Sequence, residues 1–250
     1  MSKRLLIRPG AIGDFIVSLP ALESLRTPYT EVWCAGQNVP LARFADKAQS
    51  IVSAGLDRVG LLPADDVFAR MREFDSIISW YGANNSDFRE CVRDLPFSFR
   101  QALPSGDLPA VDFYNRQARD AGGEPASRFP VIRCPDARRS FAVIHPFASN
   151  ASKRAPMEVF ESAALKLSPV MPVYWLCGPE EEWAGAVRFD DLYDLACWLR
   201  KARIFVGNDS GISHLAAAVG TPVNAFFTAG PARTWAPRGP VVNIIEAAAF

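Results

Sequence analysis

Histidine is scarce in this sequence, with two in 250 residues, His145 and His214, too few for a histidine-rich metal site. The five cysteines (Cys34, Cys91, Cys134, Cys177, Cys197) are odd in number and far apart, and no two form a C-x-x-C pair. Neither a disulfide framework nor a thiolate zinc site is expected, and reduced thiols in a cytosolic protein are the reading. A charge excess is also missing. Lys+Arg and Asp+Glu are 27 each, without the basic surplus of a chain dedicated to nucleic acid. Long apolar runs are absent too. Leu5-Leu6-Ile7 follows Lys3-Arg4 but is interrupted by Arg8, Pro9 and Asp14, so it is not read as a signal peptide. The most apolar window, residues 214–230, is broken by Gly220, Pro222 and Asn224 and is unsuited to a bilayer span. No G-x-x-x-x-G-K-[ST] occurs, and Gly10 and Gly13 supply G-x-x-G rather than the dinucleotide G-x-G-x-x-G.

What is present is rhythm. Short apolar runs alternate with amphipathic stretches, the pattern of layered α/β architecture with parallel strands and right-handed crossovers. Strands are predicted at residues 4–10, 30–35, 74–80, 97–103, 141–146, 173–178, 203–209 and 222–227. Helices are predicted from Gly13, over 112–121, from Pro156, over 191–202 and over 211–219, with Pro20 expected to kink the first or shift its start. Breakers gather in residues 122–140, where the interdomain linker is placed. The division is 1–135 and 136–250.

Three segments fall at strand-to-helix corners, where open parallel sheets bind ligands. In RPGAIGDF, glycines permit a tight turn and Asp14 lies in the first helical turn, where the dipole favours a carboxylate. By spacing alone Asp14 reads as a helix-start residue. In HPFASNASKRAP, hydroxyls and two cations precede a helix, the material of a phosphate site or of an ordinary capped loop. In VGNDSGISHLAAAVGTP, Asn208-Asp209-Ser210 ends a strand before a small-residue helix, and this reads as a site more than as core.

The three segments, in this order, resemble the lipopolysaccharide heptosyltransferase family, bacterial glycosyltransferases of family 9. The resemblance covers the start of the chain and most of residues 141–239. It implies a GT-B fold: two Rossmann-like, doubly wound parallel-sheet α/β domains facing a cleft. It implies an inverting transfer of a heptose-like sugar from an ADP-sugar-like nucleotide donor to a hydroxyl of a glycan or lipid-linked glycan. Asp14 matches the family's general base. Gly13, Ser149, Lys153, Glu181, Asp209, Ser210, Gly211 and His214 match its donor-binding positions, Lys153 on phosphate and Glu181 on ribose. No metal and no cofactor are expected, and no nucleic-acid partner. The expected location is cytoplasmic, with peripheral contact at the inner membrane where the acceptor is lipid-linked. Departures are Ala155 in place of a tryptophan, Thr228-Ala229-Gly230 in place of Gly-Pro-Thr, and a trimmed stretch between Glu182 and Asp191. The alternative from another class is a shortened, non-catalytic relative that binds a nucleotide-sugar without transferring it. A sugar-nucleotide epimerase of the same shape requires more acid/base groups than the sequence offers.

Overall fold

Strand β1 (Lys3–Arg8) carries Leu5-Leu6-Ile7, all wholly buried. A strand apolar on both faces belongs inside a parallel sheet covered on both sides. In a computed structural model that describes residues 2–246, β1 is the middle strand of a five-stranded parallel sheet. Around it lie β2 (Tyr29–Cys34), β3 (Lys47–Ser50), β4 (Ser76–Ser79) and β5 (Phe97–Phe99), in the order β3-β2-β1-β4-β5. Its helices are α1 (Ile12–Ser24), α2 (Asp65–Met71), α3 (Ser86–Cys91) and α4 (Ala110–Arg119).

Between α4 and the next strand the backbone forms no helix or strand. A second parallel sheet then follows, β10-β9-β8-β6-β7. It comprises β6 (Phe141–His145), β7 (Val173–Trp175), β8 (Ala202–Asn208), β9 (Val223–Phe227) and β10 (Val242–Glu246). Its helices are α5 (Met157–Leu167), α6 (Leu192–Leu199), α7 (Gly211–Ala218) and the single turn α8 (Ala232–Trp235). Asp191 caps α6, its carboxylate accepting from the Tyr193 and Asp194 amides. The fold class is as expected: two parallel-sheet α/β domains.

Several expected boundaries move. Helix α1 starts at Ile12 and runs on with the buried Pro20 inside it, so its start is not displaced. The strand expected over 97–103 stops at Phe99, and residues 100–109 form a loop. The strand expected over 173–178 ends at Trp175, beyond which Leu176 makes one bridge to Val187. Strands β3 and β10 and helices α2 and α3 were not expected; β3 reads KAQS and has no apolar alternation to betray it.

One hydrophobic cluster runs through both sheets' helices, joining Phe15, Leu19 and Leu22 of α1 to Tyr114 and Ala118 of α4 and to Leu215 and Ala216 of α7. The five cysteines are free thiols. Among the described residues, no helix is long and apolar enough to cross a membrane.

Candidate functional site

The carboxyl ends of β1, β6 and β8 converge where α1 and α7 begin. The first corner turns at Gly10, whose φ of +113° is open to glycine at little cost. A Cβ there would also lie 2.9 Å from the Asp14 Cβ. Asp14 is the third residue of α1, and its Oδ2 accepts the Ala11 amide at 3.1 Å. That bond is the helix-start role legible in the spacing, and it leaves Oδ1 without a hydrogen bond among the described residues. Asn38, buried, donates from Nδ2 to the Gly10 carbonyl at 3.1 Å and so fixes the turn from the side.

The third corner abuts the first. A Cβ on Gly13 would sit 3.2 Å from His214 Cδ2 and 3.6 Å from the Gly211 Cα. A Cβ on Gly211 would sit 2.7 Å from the Ile12 Cβ and 3.1 Å from the Gly13 nitrogen. Two glycines therefore bring the N-termini of α1 and α7 together, and both helix dipoles point their positive ends into one region. Ser210 caps α7 by accepting the Ser213 amide.

The second corner is tied to the third through Asn208, wholly buried at the end of β8. Its Oδ1 accepts the Ala155 amide at 2.9 Å and its Nδ2 donates to the Pro146 carbonyl at 2.7 Å. Lys153 Nζ then reaches Asp209 Oδ2 at 2.6 Å, pairing a half-exposed cation with a carboxylate that is 6% exposed. His214 is buried beside them. Burial first, and the Lys153 charge second, push its pKa down to about 4, against a small upward pull from the Trp235 backbone. Its Nδ1 is buried without a partner among the described residues. His214 is a neutral imidazole.

A cavity of about 320 Å³ opens beside this junction. Of the residues singled out in the sequence, Gly13, Ser149, Glu181, Ser210 and Gly211 line it. Asp14, Lys153, Asp209 and His214 do not line that cavity; the ion pair and the histidine gather behind it and Asp14 follows Gly13. Glu181 turns its carboxylate back to the Gly178 amide.

Residues not singled out as site residues also contribute. His145 ends β6 in the cavity wall, its Nδ1 2.9 Å from the Leu176 carbonyl and its pKa lowered by burial. Its place at a strand end, just before the second corner, was the signal available. Leu176, Phe189, Leu192 and Leu195 make an apolar wall, contributed by the bridge segment and α6. Arg188 braces the turn after β7, donating to the carbonyls of Gly178 and Glu181, each at 2.5 Å. An apolar slot next to hydroxyls, a cation and two helix N-termini suits a flat base carrying a phosphate group.

The model for Glycosyltransferase family 9 (heptosyltransferase) matches residues 92–249, a stretch that begins beyond the Asp14 corner. No curated protein matches the sequence. Among solved structures, the E. coli heptosyltransferase WaaC with ADP superposes with a TM-score of 0.72 at 16% identity, over 99% of this chain and 94% of that one. E. coli ADP-heptose lps heptosyltransferase II gives 0.75 at 17% identity, over 97% and 90%. A family 9 glycosyl transferase from Veillonella parvula DSM 2008 gives 0.72 at 16%, over 99% and 86%.

Proposed function

The chain belongs to glycosyltransferase family 9, the heptosyltransferases of GT-B fold, and from that premise we propose that it transfers a heptose-like sugar from an ADP-sugar to an acceptor hydroxyl with inversion. That it is a glycosyltransferase follows from the family; donor, stereochemistry and residue roles are the proposal. The observation that carries it is the close approach of α1 and α7 at Gly13 and Gly211, which brings the helix start that bears Asp14 beside the helix start that follows Asp209.

In this reading, residues 1–135 form the acceptor lobe and 136–250 the donor lobe. Asp14 takes the proton of the acceptor hydroxyl as its oxygen attacks the anomeric carbon. The bond from that carbon to the diphosphate oxygen breaks, and the electron pair leaves on ADP. Lys153, the Ser149 and Ser210 hydroxyls and the α7 N-terminus at Gly211 compensate the growing charge. Lys153 must then share its charge between Asp209 and the diphosphate. His214 carries no charge and is assigned to the wall behind the donor, where its Nδ1 is buried. Glu181 is assigned to the ribose. The acceptor is a glycan or lipid-linked glycan, the latter bringing the protein to a membrane surface.

The test is release of ADP from ADP-heptose, with NMR of the product for anomeric configuration. Asp14→Asn is expected to lower turnover about 10²- to 10⁴-fold, the usual worth of a general base, while ADP-heptose still raises the melting temperature. Full turnover in Asp14→Asn removes Asp14 from the mechanism. Donor binding without product in the unaltered chain, across glycan acceptors, favours the non-catalytic relative.

A further inference from the structure

Arg8 ends β1 at 1% exposure, yet it belongs to none of the ion pairs among the described residues. A buried guanidinium without a carboxylate is expensive, because the charge loses its hydration and gains no counter-ion. Such a group is retained where its hydrogen bonds or its field are used. Arg8 uses all three nitrogens. Nε donates to Ser18 Oγ at 3.1 Å, Nη1 to the Pro9 carbonyl at 2.8 Å, and Nη2 to the Asp14 carbonyl and the Tyr114 hydroxyl, each at 2.9 Å. The Tyr114 ring lies under the guanidinium, 4.6 Å away, and its hydroxyl donates onward to the Ala102 carbonyl at 2.7 Å.

Two of these bonds bracket the turn. Pro9 and Asp14 are its two ends, and Gly10 and Gly13, which give it its shape, lie between them. A planar fork that grips both ends holds the turn at one width, which a lysine ammonium cannot do. Burial draws the pKa of Arg8 down, and its neighbours Tyr114 and Asp14 draw it back up. Tyr114 on α4 has its pKa pushed up to about 12 by burial and is neutral. His214 on α7 is neutral. Behind it, Lys153 and Asp209 neutralise one another. The 3-10 turn Gly36–Leu41, on the remaining side, has no charged residue.

We propose that Arg8 is the positioning residue of the transfer base, bracing the 9–14 turn at both ends so that the Asp14 carboxylate keeps its place at the start of α1. This inference rests on the assignment of Asp14 as base. Arg8 touches no substrate and acts only through that residue.

The experiment compares Arg8→Gln and Arg8→Lys with the unaltered chain, following ADP release from ADP-heptose with water as acceptor between pH 4 and 8. Arg8→Gln is expected to lose more than tenfold in kcat with the KM for ADP-heptose within about threefold. ADP-heptose should raise its melting temperature as it does that of the unaltered chain, so that the loss lies in turnover and not in donor binding. Arg8→Lys keeps the charge but not the planar fork, so its kcat should fall as well at an unchanged KM. A folded Arg8→Gln with full kcat, or one whose KM rises as its kcat falls, overturns the proposal, since a merely structural loss would disturb donor binding and turnover together. Should Arg8→Gln fail to fold, Arg8→Lys decides: lowered kcat at unchanged KM supports the proposal, and full kcat overturns it. Asp14→Asn separates the two readings. If that variant turns over normally, the base assignment falls and Arg8 with it; if it is inactive while Arg8→Gln keeps full kcat, only Arg8 falls.

Discussion

Gly211 of α7 faces Ile12 of α1 so closely that a Cβ on the glycine would stand 2.7 Å from the Ile12 Cβ. The two residues lie 199 positions apart and on different sheets' helices. Their contact is the seam along which the first and third corners meet, and the cavity opens beside it.

Gly211→Ala therefore tests the seam. Alanine suits the start of a helix by propensity, but here the added methyl would also press within 3.1 Å of the Gly13 backbone nitrogen, which cannot swing aside. The variant is expected to lose about 1–3 kcal/mol of stability, the usual cost of overpacking. Stabilisation by ADP should fall as well. Thermal melts with and without ADP check both, and an unchanged melting temperature would show that α1 and α7 are free to part.

Lys153→Ala separates charge from scaffold. It removes the partner of the nearly buried Asp209 carboxylate and the expected partner of the donor diphosphate. A charged hydrogen bond contributes about 1.5–3 kcal/mol, so ADP affinity should fall on the order of ten- to a hundredfold. Adding Asp209→Asn should recover part of the stability, because no unpaired buried charge remains. It should not recover affinity. Calorimetry with ADP on both variants checks this, and equal affinity in all three proteins would detach Lys153 from the donor.

The acid side of the stability curve should report His214. Its pKa is about 4 in the fold, against about 6.5 in an unfolded chain. Between those values the unfolded state binds the proton and the folded state does not, so stability is full above about pH 6.5 and declines as pH falls toward 4. The expected loss for this residue approaches roughly 3 kcal/mol at the lower end. His145, lowered by its own burial, adds in the same direction. Urea denaturation of the unaltered chain and His214→Gln at pH 7.5 and 4.5 checks it; parallel declines in the two would contradict a neutral, buried His214.

The unequal legibility of the two halves has a physical origin. In the second half, strands such as Phe141–His145 are continuous apolar runs followed at once by polar, glycine-bearing corners, and that contrast is visible residue by residue. In the first half, β3 is a four-residue edge strand of polar and small residues, and α2 and α3 are helices of seven and six residues. Elements this short hold too little periodicity to stand out from loop. Arg8 was read as an interruption of an apolar strand, because a charge in a sequence looks solvated until its neighbours are known.

Local chemistry alone thus determined the alternation of strands and helices, the parallel α/β class and the three corners where a ligand could be held. It also carried the family resemblance, since glycine, carboxylate and hydroxyl at a strand's end have the same meaning wherever the strand lies. Only the tertiary structure decided which corners face one another. The pairing of Lys153 with Asp209 follows from Asn208 tying the second corner to the third, and the close approach of Gly13 to His214 and the burial of Arg8 beneath Asp14 arise from packing α1 against α7 and α4. Contacts of that kind depend on distances through space, which spacing along the chain does not encode.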